Sequence, residues 1–465
     1  MFEAQIYIDR RVALRRSMTA TERGGVVLIA GNTDAPNSYP SNTYYFRQDS
    51  SFRYLFGLTR PSLWGVIDLD SGEDILFGAQ QSLDDIIWMG AQPSLEEQSQ
   101  LVGVTTTFDL QDLKKYIAKA KRLGRKIHTL PPYRGETKIE LRELLGGAID
   151  QYVSTDLIFA MAALRERKGA EEIAELEASY AIGYQMHTRA MAMCRAGVIE
   201  REIGGALEGI ARSQGAGVSF TPICTQHGET LHNVDREGVL QDGRLFLCDA
   251  GAETLEGYCS DHTRTYPIGG RFSPIQRDIY KIVLAAHQNT ARVARAGVLY
   301  RDLHRACYLR LAEGLRDVGL VRGAAEDIVE SGAMTLFMPH GLSHGIGLDV
   351  HDCEAYGERS ITLPPNNATS CIVRKEWRLE EGTVLSNEPG VYFIPALIEQ
   401  RRSKGLYRGV VDYARVAALY DFGGIRVEDD LVIDTEGARQ IGSTYDKQIP
   451  TTVEQIEEFI KLHQS

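Results

Sequence analysis

The chain has 465 residues, more than one hydrophobic core usually serves, so two domains are expected. Its make-up, 43% hydrophobic and 25% charged with a net charge of -12, is that of a globular protein without the basic face that nucleic-acid phosphates require. No stretch approaches the apolar length of a membrane span, so neither a nucleic-acid nor a membrane partner is expected.

Residues 1–16 mix apolar side chains with Glu3, Asp9 and four arginines, which reads as an amphipathic helix of the mature fold rather than a signal peptide. The run Val26 to Ala30 ends at Gly31-Asn32 and predicts a strand. Runs 64–69 and 74–77 flank Asp70-Ser71-Gly72 and predict a strand-turn-strand unit. Residues 113–123 have helical spacing, with Lys and Arg on the outer face. This α/β region is taken as a domain over 1–156, and nothing in it has metal-ligand or nucleophile spacing. A helix is predicted from Thr155, and another over 170–193 whose acidic start suits the positive end of its dipole. Both lead into a second domain, 157–465. The seven cysteines are scattered, with no C-x-x-C pair, which fits free thiols in a reducing cytoplasm. Cys248 and Cys259 are read as buried structural thiols.

The second domain carries an internal echo. Gly243 to Asp249 is an apolar strand with a carboxylate six residues after its glycine, and Gly382 to Glu388 repeats that form. Each is followed by a second strand-like run with another acid: Asp261 in 258–265 and Glu428 in 424–433. An approximate two-fold repeat would bring these acids to one place, where carboxylates suit hard divalent cations. Antiparallel pairing can join Asp249 and Asp261. Period two puts Arg426 on the same face as Glu428, a natural partner for a ligand carboxylate. The segment His340 to His351 adds three histidines, His340, His344 and His351, within twelve residues. One imidazole could ligate a metal while the others donate to an oxyanion or a leaving amine. His227 is read as structural.

These elements together, D-x(11)-D, H-G-x-S-H-x-x-G-x-x-V-H, N-E-P-G and R-V-E-D-D, resemble the pita-bread metallopeptidases of the aminopeptidase P and prolidase branch. The likeness reaches the first domain through YFRQDSSFRYLFG, Tyr45 to Gly57, and IWMG, Ile87 to Gly90. It implies a creatinase-like N-terminal α/β domain before a pita-bread domain of pseudo-two-fold halves, an α/β (α+β) fold overall. It further implies two divalent ions, manganese being the family expectation, bridged by Asp261 and Glu428. Asp249 would complete one site, and His344 with Glu388 the other.

A water or hydroxide between the ions would be the nucleophile, with Glu388 taking its proton and later returning it. His351 and His232 match the histidines that steady the tetrahedral intermediate and the scissile amide. His340 matches one lining the proline-side pocket, and Tyr392 and Arg426 are read as residues that support the ligands, bind substrate or help the transition state. The implied substrate is a peptide with proline second, cleaved before the proline by an aminopeptidase. The alternative is a prolidase acting on Xaa-Pro dipeptides, for which Arg374 sits where a free proline carboxylate would be received. A metal-free hydrolase or a non-catalytic scaffold on the same fold is disfavoured, because all five ligand positions hold ligand-type residues. The resemblance also implies a homodimer or a dimer of dimers.

Overall fold

In the computed structural model the chain divides into two compact units, Met1–Arg165 and Glu166–Ser465. The structure describes residues 1–21, 24–353 and 377–463. Arg374 therefore lies outside the described residues.

The first unit is built on a five-stranded sheet. Its strands are β1 (Val26–Ala30), β2 (Trp64–Asp68), β3 (Asp74–Gly78), β4 (Thr106–Asp109) and β5 (Ile127–His128), in the order β4-β3-β2-β1-β5. The turn at 70–72 makes β2 and β3 antiparallel, as its Asp-Ser-Gly sequence predicts, whereas β4 and β5 join their neighbours in parallel. Val26, Leu28, Val66, Ile75 and Phe77 form a core with Leu113 and Ile117 of the helix Leu110–Arg122.

The N-terminal helix, Ala4–Thr21, departs from simple amphipathicity. Its buried residues include Tyr7, Leu14 and Met18, but also Arg10 and Arg11. Arg11 is fully buried because its guanidinium is satisfied there: it donates to Leu55 O at 2.7 Å, Val102 O at 2.9 Å and Asp74 Oδ2 at 2.8 Å. The helix Ser50–Phe56, within the Tyr45 to Gly57 motif, is capped by Asp49, whose side chain accepts from Phe52 N. It ends at Gly57 in the left-handed conformation, φ 65°, and a Cβ there would lie 2.4 Å from the Tyr7 ring.

The second unit shows the repeat directly. The helices Ala170–Met193 and Glu200–Gln214 precede one strand cluster, and Pro274–Val293 and Tyr300–Asp317 precede the other. In the first half β6 (Ile223–Thr225), β7 (Leu245–Ala250) and β8 (His262–Pro267) form a sheet in the order β8-β7-β6. The second half has β9 (Val384–Asn387), β10 (Gly390–Tyr392), β11 (Gly424–Arg426), β12 (Asp429–Ile433) and β13 (Ala438–Gln440). Of these, β9-β12-β13 form one sheet, and β10 pairs with β11. Strand β7 contains the candidate acid Asp249, and the candidate acid Glu388 directly follows β9.

One element differs from expectation. Residues 424–433 are two strands, broken at Val427 and Glu428, because the backbone changes partners there. Val427 N reaches Pro389 O at 3.3 Å, and Glu428 N reaches Thr263 O at 3.0 Å. The resulting Thr263–Glu428 bridge joins the two halves.

Gly57 offers a test of these packing arguments. Gly57→Ala should cost more than the roughly 1 kcal/mol that positive φ alone imposes on alanine. Gly124→Ala, at φ 69° with nothing within 4 Å of its Cβ, supplies that baseline. Denaturant unfolding of both variants measures the difference, and equal losses would remove the Tyr7 contact from the explanation.

Candidate metal centre

Four acids and one histidine converge in the second unit. Asp261, at the head of β8, and Glu428, in the break between β11 and β12, meet His344, with ligand atoms all within 4.8 Å of one another and all three residues buried. His344 Nε2 lies 3.6 Å from Asp261 Oδ2 and 3.5 Å from Glu388 Oε1. Asp249 pairs with Arg426 Nη2.

The imidazole orientation is informative. His344 Nδ1 lies 3.1 Å from Gly345 O, an acceptor only, so this nitrogen carries the hydrogen. Nε2 is then the ring atom turned toward the Asp261 and Glu388 carboxylates, the side from which an imidazole ligates a cation. Asp249 Oδ1 and Asp261 Oδ1 are buried without a hydrogen-bond partner among the described residues. Burial, then the charges of Glu428 and Asp249, push the Asp261 carboxyl well above the usual range. Burial likewise raises Glu388, with Glu428 adding to it, and lifts Glu428 to about 8, with Asp249 adding to it. These buried, mutually repelling oxygen donors with one imidazole fit hard divalent cations.

A second layer of contacts fixes the acids. Arg426 Nε donates to Thr263 Oγ1 at 3.1 Å, and Thr263 Oγ1 donates to Glu428 Oε2 at 2.6 Å. Arg426 and Glu428 thus address one hydroxyl, despite the break in their strand. Thr265, two residues on, exchanges hydrogen bonds with the Arg426 backbone. Asp261 N donates to Asp430 Oδ2 at 3.0 Å, and His344 N donates to Ser386 Oγ at 3.0 Å. Thr263, Ser386 and Asp430 were not singled out from sequence. Period two from Asp261 through Thr263 to Thr265 is the signal that could have found Thr263.

Arg426 Nη1 also donates to Tyr392 Oη at 2.8 Å, and that hydroxyl lies 2.9 Å from His340 Nε2. His340 Nδ1 is 2.7 Å from Gly341 O, so Nδ1 carries the hydrogen and Nε2 accepts from the tyrosine. Burial, then the Arg426 charge, lowers His340 to about 3 and keeps its ring neutral. The Tyr392 ring fits because glycines stand beside it, Gly390 two residues earlier on its own strand and Gly424 opposite it on β11. A Cβ at Gly390 would lie 2.4 Å from the Tyr392 hydroxyl, and one at Gly424 2.4 Å from its ring.

The other histidines and the two thiols complete the picture. His351 is exposed and stacks on His344, with ring centroids 3.7 Å apart and planes at 9°. His232 is exposed; its charge is among those that disfavour a protonated His340. His227 pairs with Glu229 at 3.1 Å. Cys248 and Cys259 are both buried.

The model of Metallopeptidase family M24 matches residues 174–435, more than half of the chain, and that of the Aminopeptidase P N-terminal domain matches residues 7–128. The chain is similar to the Xaa-Pro aminopeptidase of Escherichia coli, 29% identical over 92% of this chain and 94% of that one. It is also similar to the human Xaa-Pro dipeptidase, 27% identical over 95% of this chain and 90% of that one. Among solved structures, zinc-substituted E. coli aminopeptidase P in complex with product aligns with a TM-score of 0.81 at 27% identity, covering 100% of both chains. Proline aminopeptidase P II of Yersinia pestis aligns at 0.80 and 28% identity, covering 99% of this chain and 100% of that one.

Thr263→Val should leave the fold intact and lower metal affinity about 10–100-fold, the usual cost of losing a hydrogen bond to a ligand. Titration with manganese followed by calorimetry measures this. Unchanged affinity would show that Glu428 is oriented without Thr263.

Proposed function

The chain belongs to metallopeptidase family M24, and from that membership we propose that it is an Xaa-Pro aminopeptidase, removing the first residue from peptides whose second residue is proline. The observation that carries the proposal is His344 Nε2 turned toward Asp261 and Glu388, with Glu428 completing the cluster. Asp249, Asp261, His344, Glu388 and Glu428 are the proposed holders of two divalent ions, with manganese the first choice. When bound, the ions supply Lewis acidity toward the scissile carbonyl and a water that ionises near neutral pH.

The protein's own groups do the rest. Glu388 takes the proton of the attacking water. The departing proline nitrogen carries no hydrogen in the peptide, so it must be given one, and Glu388 is the proposed source. His351 and His232 are assigned to the tetrahedral intermediate and the scissile amide, and His340 to the proline side. Tyr392 and Arg426 hold His340 and Asp249 in place through the bonds described. We assign this chemistry to a domain spanning 157–465, behind an N-terminal domain spanning 1–156.

The second reading is a prolidase, supported by the similarity to the human Xaa-Pro dipeptidase. It would need Arg374 to receive the proline carboxylate. The scattered cysteines, with no C-x-x-C pair, suit a cytoplasmic setting, which we adopt. We also propose a homodimer or dimer of dimers. The support is the helix Leu83–Met89 of the first unit, which buries none of its residues and exposes Leu83, Ile87, Trp88 and Met89.

Three measurements test these proposals. Manganese-loaded protein should cleave an Xaa-Pro-Yaa tripeptide faster than an Xaa-Pro dipeptide; the reverse preference would establish the prolidase, and no turnover of either would remove both readings. Asp261→Ala and Glu428→Ala proteins should keep their circular dichroism and lose hydrolysis, and full turnover in either would sink the ligand assignment. Light scattering at micromolar concentration should show at least a dimer that Trp88→Glu weakens, whereas a wild-type monomer would overturn the oligomer.

A further inference from the structure

The histidine-bearing segment is held from behind by a buried ion pair that the chemistry above does not use. Lys168 Nζ lies 2.9 Å from Asp352 Oδ2, and the two side chains are only 2% and 3% exposed. Lys168 sits in the short connection between the helices Thr155–Glu166 and Ala170–Met193, 184 residues before its partner. Asp352 directly follows His351. Its backbone nitrogen donates to Gly345 O at 2.9 Å, which closes the loop 345–352 on itself. Gly347 leaves room for the pair: a Cβ there would lie 2.6 Å from Asp352 Oδ2 and 3.0 Å from Lys168 Cε. Lys168 is also fixed through its main chain, since its nitrogen donates to Gly382 O at 2.8 Å, where the run leading to Glu388 begins. One residue thus joins the Glu388 strand to the histidine loop.

A buried ion pair is a weak source of net stability, because desolvating both ions offsets much of their attraction. Its charges do impose geometry, since each must stay where the other can reach it. The geometry beside this pair is the stacking of His351 on His344 at 3.7 Å. His351 is exposed, and the loop that Asp352 anchors carries it to the face of His344.

We propose that Lys168, acting through Asp352, is a positioning residue for His351: the pair holds the loop so that the His351 ring stays stacked on His344 at the candidate metal centre. This rests on the reading of His344 and His351 as site residues given above.

Lys168→Met alone would leave a buried carboxylate without its lysine, so the informative protein is the double variant Lys168→Met/Asp352→Leu, which removes both charges at similar volume. Its crystal structure, its bound manganese per chain, and kcat and KM on an Xaa-Pro-Yaa tripeptide are compared with wild type. The expected result is an unchanged metal content, rings no longer stacked, and a kcat lowered about 100-fold with KM little altered, the scale of loss that a small misplacement produces. Rings still stacked as in wild type, full kcat with displaced rings, or a rate loss matched by lost metal would each overturn the proposal. Should the double variant not fold, Lys168→Arg keeps the charge on a differently shaped head and is expected to lower kcat and shift the rings; wild-type kcat in that protein overturns the proposal. A wild-type chain that cleaves no Xaa-Pro peptide counts against the functional reading alone, and the ring separation in the variant crystal still decides the role of the pair.

Discussion

The second unit is organised around electrostatic crowding. Asp249, Asp261, Glu388 and Glu428 are carboxylates withdrawn from water, and Arg426 pairs with Asp249. Each further charge in so poorly solvated a place raises the cost of ionising the others, which is why Asp261, Glu388 and Glu428 are all pushed upward with burial as the leading cause. Divalent cations reverse that balance, because the attraction they add grows with every carboxylate they touch. Cations held by these acids would therefore link folding of this unit to metal binding.

Bringing those acids together is a topological task, which explains the repeat. One antiparallel pair, β7 with β8, delivers Asp249 and places Asp261 at its edge. The other, β9 with β12, ends beside Glu388 and Glu428. The halves meet at the Thr263–Glu428 bridge, and Arg264 secures it. That guanidinium is fully buried and donates to Glu428 O at 2.7 Å, Asp429 Oδ1 at 2.8 Å and Pro450 O at 3.0 Å. Asp429 is in turn held well below the usual carboxylate range: Arg264 and His287 outweigh the effect of its burial. The residue next to a candidate ligand thus stays charged while the ligands beside it are pushed the other way. A charged Asp429 keeps Arg264 in place, and Arg264 keeps the backbone of Glu428 in register with Thr263.

Range and periodicity decide how much of this is legible in the sequence. The helix 170–193 was legible because its apolar spacing and acidic first turn are local, and the structure gives it as Ala170–Met193. The strands bearing Asp249 and Glu388 were legible because apolar runs ending in an acid are conspicuous. The break at Val427 was not, since it records a change of hydrogen-bond partner from Pro389 to Thr263, which hydropathy does not encode. Arg11 misleads hydropathy in the other direction: its charge suggests solvent, yet the carbonyls of Leu55 and Val102, far off in sequence, make a buried place for it. Lys168 and Asp352 are invisible for the same reason, being ordinary charges until the fold sets them 2.9 Å apart.

The choice between aminopeptidase and dipeptidase belongs outside the metal centre altogether. The bond broken and the groups needed to break it are the same for both substrates, so the proposed ligands and His340, Tyr392 and Arg426 would serve either one. The substrates differ on the far side of the proline: one continues in a neutral peptide bond, the other ends in a free carboxylate. Burying that carboxylate without a partner is costly, whereas a bidentate arginine makes it favourable and leaves a neutral peptide a poor fit. Discrimination by length would thus turn on one charge beyond the proline ring rather than on the groups that break the bond. The chain is similar to proteins of both kinds at nearly equal identity, 29% to one and 27% to the other, so overall likeness does not separate the two substrates.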